Sequence, residues 1–268
     1  MGRPSAPVKI LSAGYILLVC VLLIVPFAVI ALGSLFQDTF HPRFSNLTLK
    51  YYLILPASFW KAVGTSVLFA FLAVICTICL AVPTAYSLMR SSSQRWRSLL
   101  DVLFMSPLMI AQSSFSAGLL VIYFRYVNLF DSFLGVLLPI VCVSLPYMLR
   151  PILGSLKGID VSLEEAAQSL GARRWQVIAH ILIPLLGPGI VGGSILVFAT
   201  VINVFTITMF LTSLHFIPAA QKIYVDLQVF GLNSTIAAEA NLMAIVTLVF
   251  VLVLNQYLSS RYLKGISF

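Results

Sequence analysis

Long apolar runs separated by short polar segments make up this sequence. A helix that crosses a bilayer needs about 20 apolar residues, because each backbone polar group in the hydrocarbon must be hydrogen-bonded within its own segment. Six runs are long enough, and we predict a membrane-spanning helix in each: 11–35, 62–89, 99–123, 133–153, 183–211 and 236–257. The pattern therefore predicts an all-α, polytopic helix bundle with about six transmembrane helices, forming one domain over residues 1–268.

Composition supports a lipid environment. Only 9% of the residues are charged and the mean hydropathy is +1.06, whereas a soluble domain carries about a quarter charged residues. Exposing so much apolar surface to water would cost roughly 25 cal/mol per Å². The solvent around most of this chain must therefore be the membrane interior.

The distribution of basic residues predicts the orientation. With the N-terminus in the cytoplasm, the inside segments hold eleven of them: Arg3, Lys9, Arg90, Arg95, Arg97, Arg150, Lys157, Arg173, Arg174, Arg261 and Lys264. The outside segments hold five: Arg43, Lys50, Lys61, Arg125 and Lys222. Because cytoplasmic loops are enriched in Lys and Arg, we predict that both termini are cytoplasmic. This bias accounts for most of the net charge of +8 without a nucleic-acid partner, and anionic lipid headgroups would add to the attraction at this face.

The sequence shows no motif for nucleotide binding, catalysis or metal binding. It contains no G-x-x-x-x-G-K-[ST] loop for binding nucleotide phosphates, so energy for transport would come from another subunit or from an ion gradient. Cys76 and Cys79 have CxxC spacing but lie in an apolar run, where thiols act as small hydrophobic side chains. We expect no catalytic residue, no metal site and no cofactor in this chain, which is therefore not expected to be an enzyme.

The segment between the fourth and fifth apolar runs, at about 155–182, predicts a structured cytoplasmic loop. Ser162 and Glu165 have the spacing of a capping box, which predicts a helix beginning at Leu163. Gly171 is typical of a helix C-terminus, where a left-handed residue is favoured, and a second helix is expected to enter the membrane near Pro184. Apolar residues recur at helical spacing along the short helix, so one of its faces favours burial, in part against a partner.

This loop resembles the EAA loop of permease subunits in bacterial ATP-binding-cassette importers. The family pattern is E-A-A, three residues, G, nine residues, then I-x-L-P. Here Glu165–Ala167 is followed at those spacings by Gly171 and Ile181, and Ile183 replaces the Leu before Pro184. The resemblance implies a helix that couples to a separate ATPase, through the following residues: Glu164, Glu165, Ala166, Ala167, Leu170, Gly171 and Arg173.

The resemblance extends over nearly the whole chain. The segment around 184–212 is similar to the fifth span of spermidine/putrescine-type permeases, and length and loop placement are similar to their second permease subunit. It implies the MetI-like fold of type I importers in a bacterial cytoplasmic (inner) membrane. The partners it implies are an ATP-binding-cassette ATPase dimer that holds ATP and Mg, a second homologous permease chain and an extracytoplasmic solute-binding protein. The implied substrate is a small polar solute such as a polyamine, 2-aminoethylphosphonate or a related organic amine.

Polar residues inside two predicted spans are candidates for lining the pathway, because buried polar groups in lipid are costly. They are Gln112, Ser113 and Ser116 in the third span and Thr200, Asn203 and Thr206 in the fifth. Hydrogen bonding between helices is the alternative role for each. A gradient-driven carrier or channel that needs no ATPase is the alternative function, although proton-coupled carriers commonly need ionisable relays that the span centres lack.

Overall fold

The computed structural model describes residues 6–36, 47–90, 94–213 and 216–258, with the backbone alone at 6–13, 97 and 257–258. These residues are predominantly helical. The helices are α1 (Ala6–Gly33), α2 (Lys50–Leu53), α3 (Ala57–Arg90), α4 (Gln94–Met109), α5 (Gln112–Ile122), α6 (Phe133–Lys157), α7 (Val161–Ser169), α8 (Arg174–Val177), α9 (Ile183–Leu185), α10 (Gly187–Ile202), α11 (Thr206–Leu211), α12 (Ala219–Phe230) and α13 (Ser234–Leu258). One-turn π-helices, Tyr123–Val127 and Ile178–Leu182, follow α5 and α8.

Four segments of the described chain are long and apolar enough to cross a membrane singly: Gly14–Gly33, Ala57–Arg90, Phe133–Lys157 and Ser234–Gln256. Two further pairs pass the same test together but are bent at a break, namely Gln94–Met109 with Gln112–Val127 and Arg174–Leu185 with Gly187–Ile202. Counting each bent pair as one span gives six, as the hydrophobic pattern predicts.

The third span is not the continuous helix 99–123 that the pattern predicts. It bends by 97° between α4 and α5, where Ala111 adopts an extended conformation (φ −59°, ψ 126°). Pro107 has no N–H to donate within α4, and the hydroxyl of Ser106 donates instead to the carbonyl of Leu103 at 2.8 Å. Averaged hydrophobicity over a window does not detect such a break, because both arms are apolar.

The fifth span also departs from its predicted range of 183–211. Its first arm begins at Arg174, a 66° bend separates that arm from α10, and α10 ends at Ile202. Pro188 lies in the first turn of α10, where the missing N–H breaks no helical bond. At the other end Asn203 leaves the helical conformation, and its side-chain amide donates to the carbonyl of Ala199 at 3.0 Å. Residues beyond it form the separate helix α11.

The described residues group into two compact units. The first contains the chain up to Trp60 and residues 223–245. Within it, the Tyr52 hydroxyl hydrogen-bonds to Ser34 at 2.7 Å and accepts from Asn241 at 2.6 Å. Ser234 donates to the carbonyl of Phe36 at 2.7 Å. These bonds tie the end of α1 to the beginning of α13 inside this unit.

The second unit contains residues 61–222 and those from 246 onward. Helix α6 lies at its centre and buries Ile140, Met148 and Ile152 almost completely. Helix α10 packs against α6 at very short range: a Cβ added at Gly189 would lie 2.7 Å from the carbonyl oxygen of Pro151, and one at Gly193 would lie 3.1 Å from the Cα of Met148. Small residues permit such close approach between membrane helices.

Candidate coupling site and membrane cavity

Helix α7 corresponds to the predicted coupling helix, but it begins earlier than the sequence pattern indicates. Asp160 is the N-cap, and its carboxylate accepts the backbone N–H of Ser162 at 3.0 Å. The predicted capping box at Ser162 and Glu165, with a helix start at Leu163, is therefore wrong. Asp160, two residues before Ser162, is the N-cap instead. Its short carboxylate accepts a hydrogen bond from a backbone N–H of the first turn, and its negative charge interacts favourably with the positive end of the helix dipole. The same hydrogen bond lowers the pKa of the Asp160 carboxyl below its ordinary value.

The C-terminus of α7 has the geometry predicted from Gly171. That glycine has φ +91°, its N–H donates to Gln168 at 2.9 Å, and the N–H of Ala172 donates to Ala167 at 3.0 Å. These two bonds form a Schellman motif, which satisfies the last carbonyls of the helix. The chain then turns sharply into α8, where the backbone N–H of Arg173 donates to the Gln176 side chain at 2.8 Å.

Glu164 anchors α7 to the end of α3. Its side chain is only 5% exposed and forms an ion pair with Arg90, the last residue of α3. The hydroxyl of Tyr86, one turn earlier on α3, donates to the second oxygen of the same carboxylate at 3.2 Å. We call Tyr86, Arg90 and Glu164 the α3–α7 anchor. The sequence pattern grouped Glu164 with the other coupling residues but did not identify Arg90 and Tyr86. These two residues precede Glu164 by 74 and 78 positions, and no local spacing connects residues that are so far apart in the chain.

The remaining surface of α7 is open. Leu163 is 48% exposed and Leu170 is 90% exposed, and Glu165 and Ala166 are also exposed whereas Ala167 is half-buried. Large apolar side chains at such exposure indicate a surface that is covered in an assembly. We call Leu163, Glu165, Ala166 and Leu170 the open face of α7.

A hollow continues from the open face toward the first arm of the fifth span. It has a volume of about 470 Å³ and is lined by residues at the end of α7 and along the following turns, among them Leu170, Gly171, Gln176 and His180. The π-helix Ile178–Leu182 forms one wall, and His180 Nδ1 lies 3.2 Å from the carbonyl of Gln176. The open face and this hollow together form a concave surface that a side chain of another protein could enter.

A second, smaller cavity of about 230 Å³ lies at the breaks in two spans. Four of the six predicted pathway residues line it: Gln112, Thr200, Asn203 and Thr206. Ser144 on α6 lines it too and was missed, because a lone serine in an apolar run carries no signal of its own. Ser113 is exposed outside this cavity, and Ser116 is buried with its hydroxyl donating to the carbonyl of Gln112 at 2.7 Å.

The backbone at this cavity is irregular. Gln112 begins α5 just after the break at Ala111, and residues 203–205 separate α10 from α11. Non-helical backbone at membrane depth is tolerated where it is buried in protein or lines a cavity, and discontinuous helices line the substrate sites of many transporters. The side chains lining this cavity are uncharged. Within the described residues, no group of three or more His, Cys, Asp or Glu side chains is arranged to hold a metal ion.

Comparison with known proteins finds permease proteins of several transport systems among the relatives of this chain. The chain is 44% identical over 78 residues to the molybdenum transport system permease protein ModB of Escherichia coli (strain K12), covering 29% of this chain and 34% of that protein. The match therefore spans about a third of the length of that relative. Similarity to the spermidine/putrescine transport system permease protein PotC of Escherichia coli (strain K12) is lower, at 24% over 265 residues, but covers 96% of this chain and 97% of that protein.

The fold is that of a solved importer. A chain of the crystal structure of a bacterial ABC transporter involved in the import of the acidic polysaccharide alginate superposes with a TM-score of 0.71 at 15% identity, covering 98% of this chain and 100% of that one. The model of the family described as "Binding-protein-dependent transport system inner membrane component" matches residues 77–264. The predicted family and all-α MetI-like fold are thereby confirmed, and the chain belongs to this family of permease subunits of ATP-binding-cassette importers.

Proposed function

We propose that this chain forms one half of a substrate pathway and couples it, through α7, to an ATPase on a separate chain. The observation that carries the proposal is the asymmetry of α7, which is fixed on one side by the α3–α7 anchor and open on the other. Leu170, 90% exposed, would remain in water at a cost of roughly 1.5–3 kcal/mol relative to full burial, and Leu163, 48% exposed, at roughly half of that cost. A partner that covers them recovers this free energy, and the ATPase dimer is the partner that family membership supports.

The anchor gives the coupling a mechanical path. Helix α7 continues through a short turn into α6, joins the fifth span through Gly171, and is held to α3 by Glu164. A displacement of α7 by a closing ATPase would therefore be applied to three membrane helices rather than to a free loop. In this role Glu164 positions the coupling helix, while Glu165, Ala166, Leu170, Gly171 and Arg173 belong to the surface that docks.

The orientation follows from the same arrangement. Basic residues lie where α3 and α6 end and where α4 and α8 begin, namely Arg90, Lys157, Arg95 and Arg174, and cytoplasmic segments are enriched in such residues. We propose that these helix ends are cytoplasmic, and that both termini are too, as the distribution of basic residues along the sequence predicts. The opposite ends of the spans would then face an extracytoplasmic solute-binding protein.

The cavity at the broken spans is our candidate for this chain's half of the pathway, the other half being supplied by a second permease chain. Its hydrogen-bonding groups suit a small polar solute and provide no charge of their own. The substrate class we propose is a polyamine, 2-aminoethylphosphonate or a related organic amine. The supporting observation is that similarity to the spermidine/putrescine permease covers 96% of this chain, whereas similarity to the molybdenum permeases of Escherichia coli and Haemophilus influenzae covers 29% and 50% of it.

Substitution of Leu170 tests the coupling proposal. The Leu170→Asp variant places a charge on the open face, and we expect it to insert normally but to lose co-purification of the ATPase and ATP-dependent uptake. Leu53→Asp is the matched control, because Leu53 is 86% exposed and carries the same change on a different helix, α2. ATPase retention by Leu170→Asp would contradict the proposal, and uptake by the purified chain in liposomes without an ATPase would instead support the gradient-driven alternative.

A further inference from the structure

A third cavity, of about 500 Å³, lies between α3, α4 and α6 and has no part in the coupling site or the pathway described above. Two rows of side chains line it. Gln94, Ser98 and Asp101 recur at helical spacing on one face of α4, and Arg150, Gly154 and Lys157 do the same on α6. Its volume is within the range of roughly 300–1,000 Å³ that is usual for ligand sites.

Among the described residues, the alignment of the two rows pairs one basic residue of the cavity with an acidic residue and leaves the other basic residue without one. Helices α4 and α6 run in opposite directions, and their deepest pair is Asp101 with Arg150, whose charged atoms lie 3.7 Å apart. Arg150 also donates from Nε to the sulfur of Met105 at 3.2 Å. Asp101 thus balances Arg150, and the positive charge that remains in the cavity is that of Lys157, near the hydroxyl of Ser98 and the amide of Gln94.

Lys157 is available to a ligand. It is the last residue of α6 and is exposed, and within the part of the chain that the structure describes its ammonium forms no ion pair. Between it and Arg150, Gly154 contributes no side chain, and a Cβ built there would have nothing within 4 Å. The cavity therefore combines a cation, neutral hydrogen-bonding groups and free space, which is the chemistry that recognises a phosphate ester.

The surroundings indicate that the phosphate belongs to a lipid. Beside the polar row, α4 exposes Leu99 (59%), Val102 (62%) and Leu103 (58%), which would contact acyl chains. Trp96, 64% exposed, lies in the first turn of α4, and Trp is enriched where membrane helices meet the membrane–water interface. The apolar side chains of Leu88 and Met89 close the cavity on the side of α3.

We propose that this cavity binds the headgroup of an anionic phospholipid, with Lys157 facing the phosphate and the acyl chains lying along α4. Basic pockets between transmembrane helices on the cytoplasmic side bind such headgroups in other membrane proteins. The site does not depend on the pathway or on ATPase docking, since it uses none of their residues.

Native mass spectrometry of the full chain, extracted from nanodiscs of equal phosphatidylglycerol and phosphatidylcholine, tests the proposal. We expect the wild type to retain phosphatidylglycerol in preference to phosphatidylcholine, and Lys157→Gln to weaken that retention about fivefold, the effect of one basic residue near an anionic surface. Arg125→Gln, which removes an exposed charge elsewhere, is the matched control and should retain the lipid as the wild type does.

The Gly154→Leu variant separates a built site from diffuse attraction. It fills the cavity without changing any charge, and it should abolish the preference for phosphatidylglycerol. Equal retention of both lipids by the wild type, undiminished retention by Gly154→Leu, or equal losses in Lys157→Gln and Arg125→Gln would each overturn the proposal. Displacement of the retained lipid by excess inorganic phosphate would also overturn it, because the site would then recognise a free anion rather than a lipid.

Discussion

Arg90 and Glu164 form an ion pair between the last residue of one membrane-spanning helix and the buried side of the coupling helix. Nearly all of the Glu164 side chain is buried, and 22% of the Arg90 side chain is exposed. Removing one partner of such a pair leaves the other charge buried without compensation, which commonly costs 3–5 kcal/mol.

We predict that Arg90→Gln or Glu164→Gln lowers the free energy of unfolding by about 3 kcal/mol and uncouples ATP hydrolysis from transport. Thermal unfolding in detergent and uptake by the reconstituted complex measure the two effects. The Arg90→Glu/Glu164→Arg double variant should recover part of both. As a control, Asp101→Asn removes one partner of the exposed pair with Arg150 and should cost less than about 1 kcal/mol. Independent, additive losses in the Arg90 and Glu164 variants would contradict the anchor.

Gly171 offers a test that is confined to the backbone. Its φ of +91° is unfavourable for a residue with a Cβ, although a Cβ there would meet no atom within 4 Å. We predict that Gly171→Ala destabilises the turn by about 1 kcal/mol, the usual cost of a left-handed conformation, and weakens ATPase co-purification. Gly171→Asn should be milder, because Asn tolerates this region better. Equal behaviour of the two variants would indicate that steric crowding by a partner, rather than backbone strain, sets the requirement for glycine.

The cap at Asp160 predicts a dependence on pH. Because the pKa of its carboxyl is lowered in the folded protein, chiefly by the backbone N–H of Ser162, the cap contributes at pH values above the ordinary pKa of Asp. That contribution is lost as the pH falls through the lowered pKa. Hydrogen exchange of residues 161–169, corrected for its intrinsic pH dependence, should therefore rise under acid conditions. Asp160→Asn keeps an acceptor for the cap and should remove this pH dependence. If the pH dependence persisted in that variant, it would arise from a group other than Asp160.

Polar residues that line the cavity at the broken spans should matter for uptake, whereas the predicted pathway residue Ser113, outside the cavity, should not. Thr200→Val and Asn203→Leu each remove a hydrogen-bonding group from its lining, and a lost hydrogen bond of about 1 kcal/mol corresponds to roughly a fivefold loss. We expect uptake to fall by about that factor with ATPase co-purification unchanged. Ser113→Ala, outside the cavity, should retain uptake. Equal losses in all three variants would argue against this cavity as part of the pathway.

The close packing of α10 on α6 predicts that alanine is tolerated at one glycine of α10 but not at another. A Cβ at Gly189 would lie within 3.0 Å of backbone atoms of α6, whereas one at Gly192 would meet its nearest atom at 3.9 Å. Gly189→Ala should therefore destabilise the protein by about 1–3 kcal/mol, as overpacking does, and Gly192→Ala should be nearly neutral. Thermal unfolding of the two variants measures the difference, and similar stabilities would show that the helices can separate at little cost.

The features that the sequence predicted well are those that depend on neighbouring residues. Apolar length predicted six spans, and the glycine at 171 predicted the end of α7 because a left-handed residue is needed locally. The start of α7 was predicted wrongly because Asp160 and Ser162 are both good N-cap residues, and the spacing alone does not decide between them. The contact between Arg90 and Glu164 could not be predicted, since it depends on how two distant helices pack. The breaks near Ala111 and Asn203 were missed because they interrupt runs whose average hydrophobicity does not change.

The backbone contacts at Gly189 and Gly193 restrict how this protein can move. Long side chains at an interface can change rotamer and allow one helix to slide along another, but two backbones in direct contact have no such freedom. We therefore expect α6 and α10 to tilt together as a single rigid body, so that a change in the width of the cavity would come from hinging at the non-helical residues 203–205 rather than from shear between the two helices.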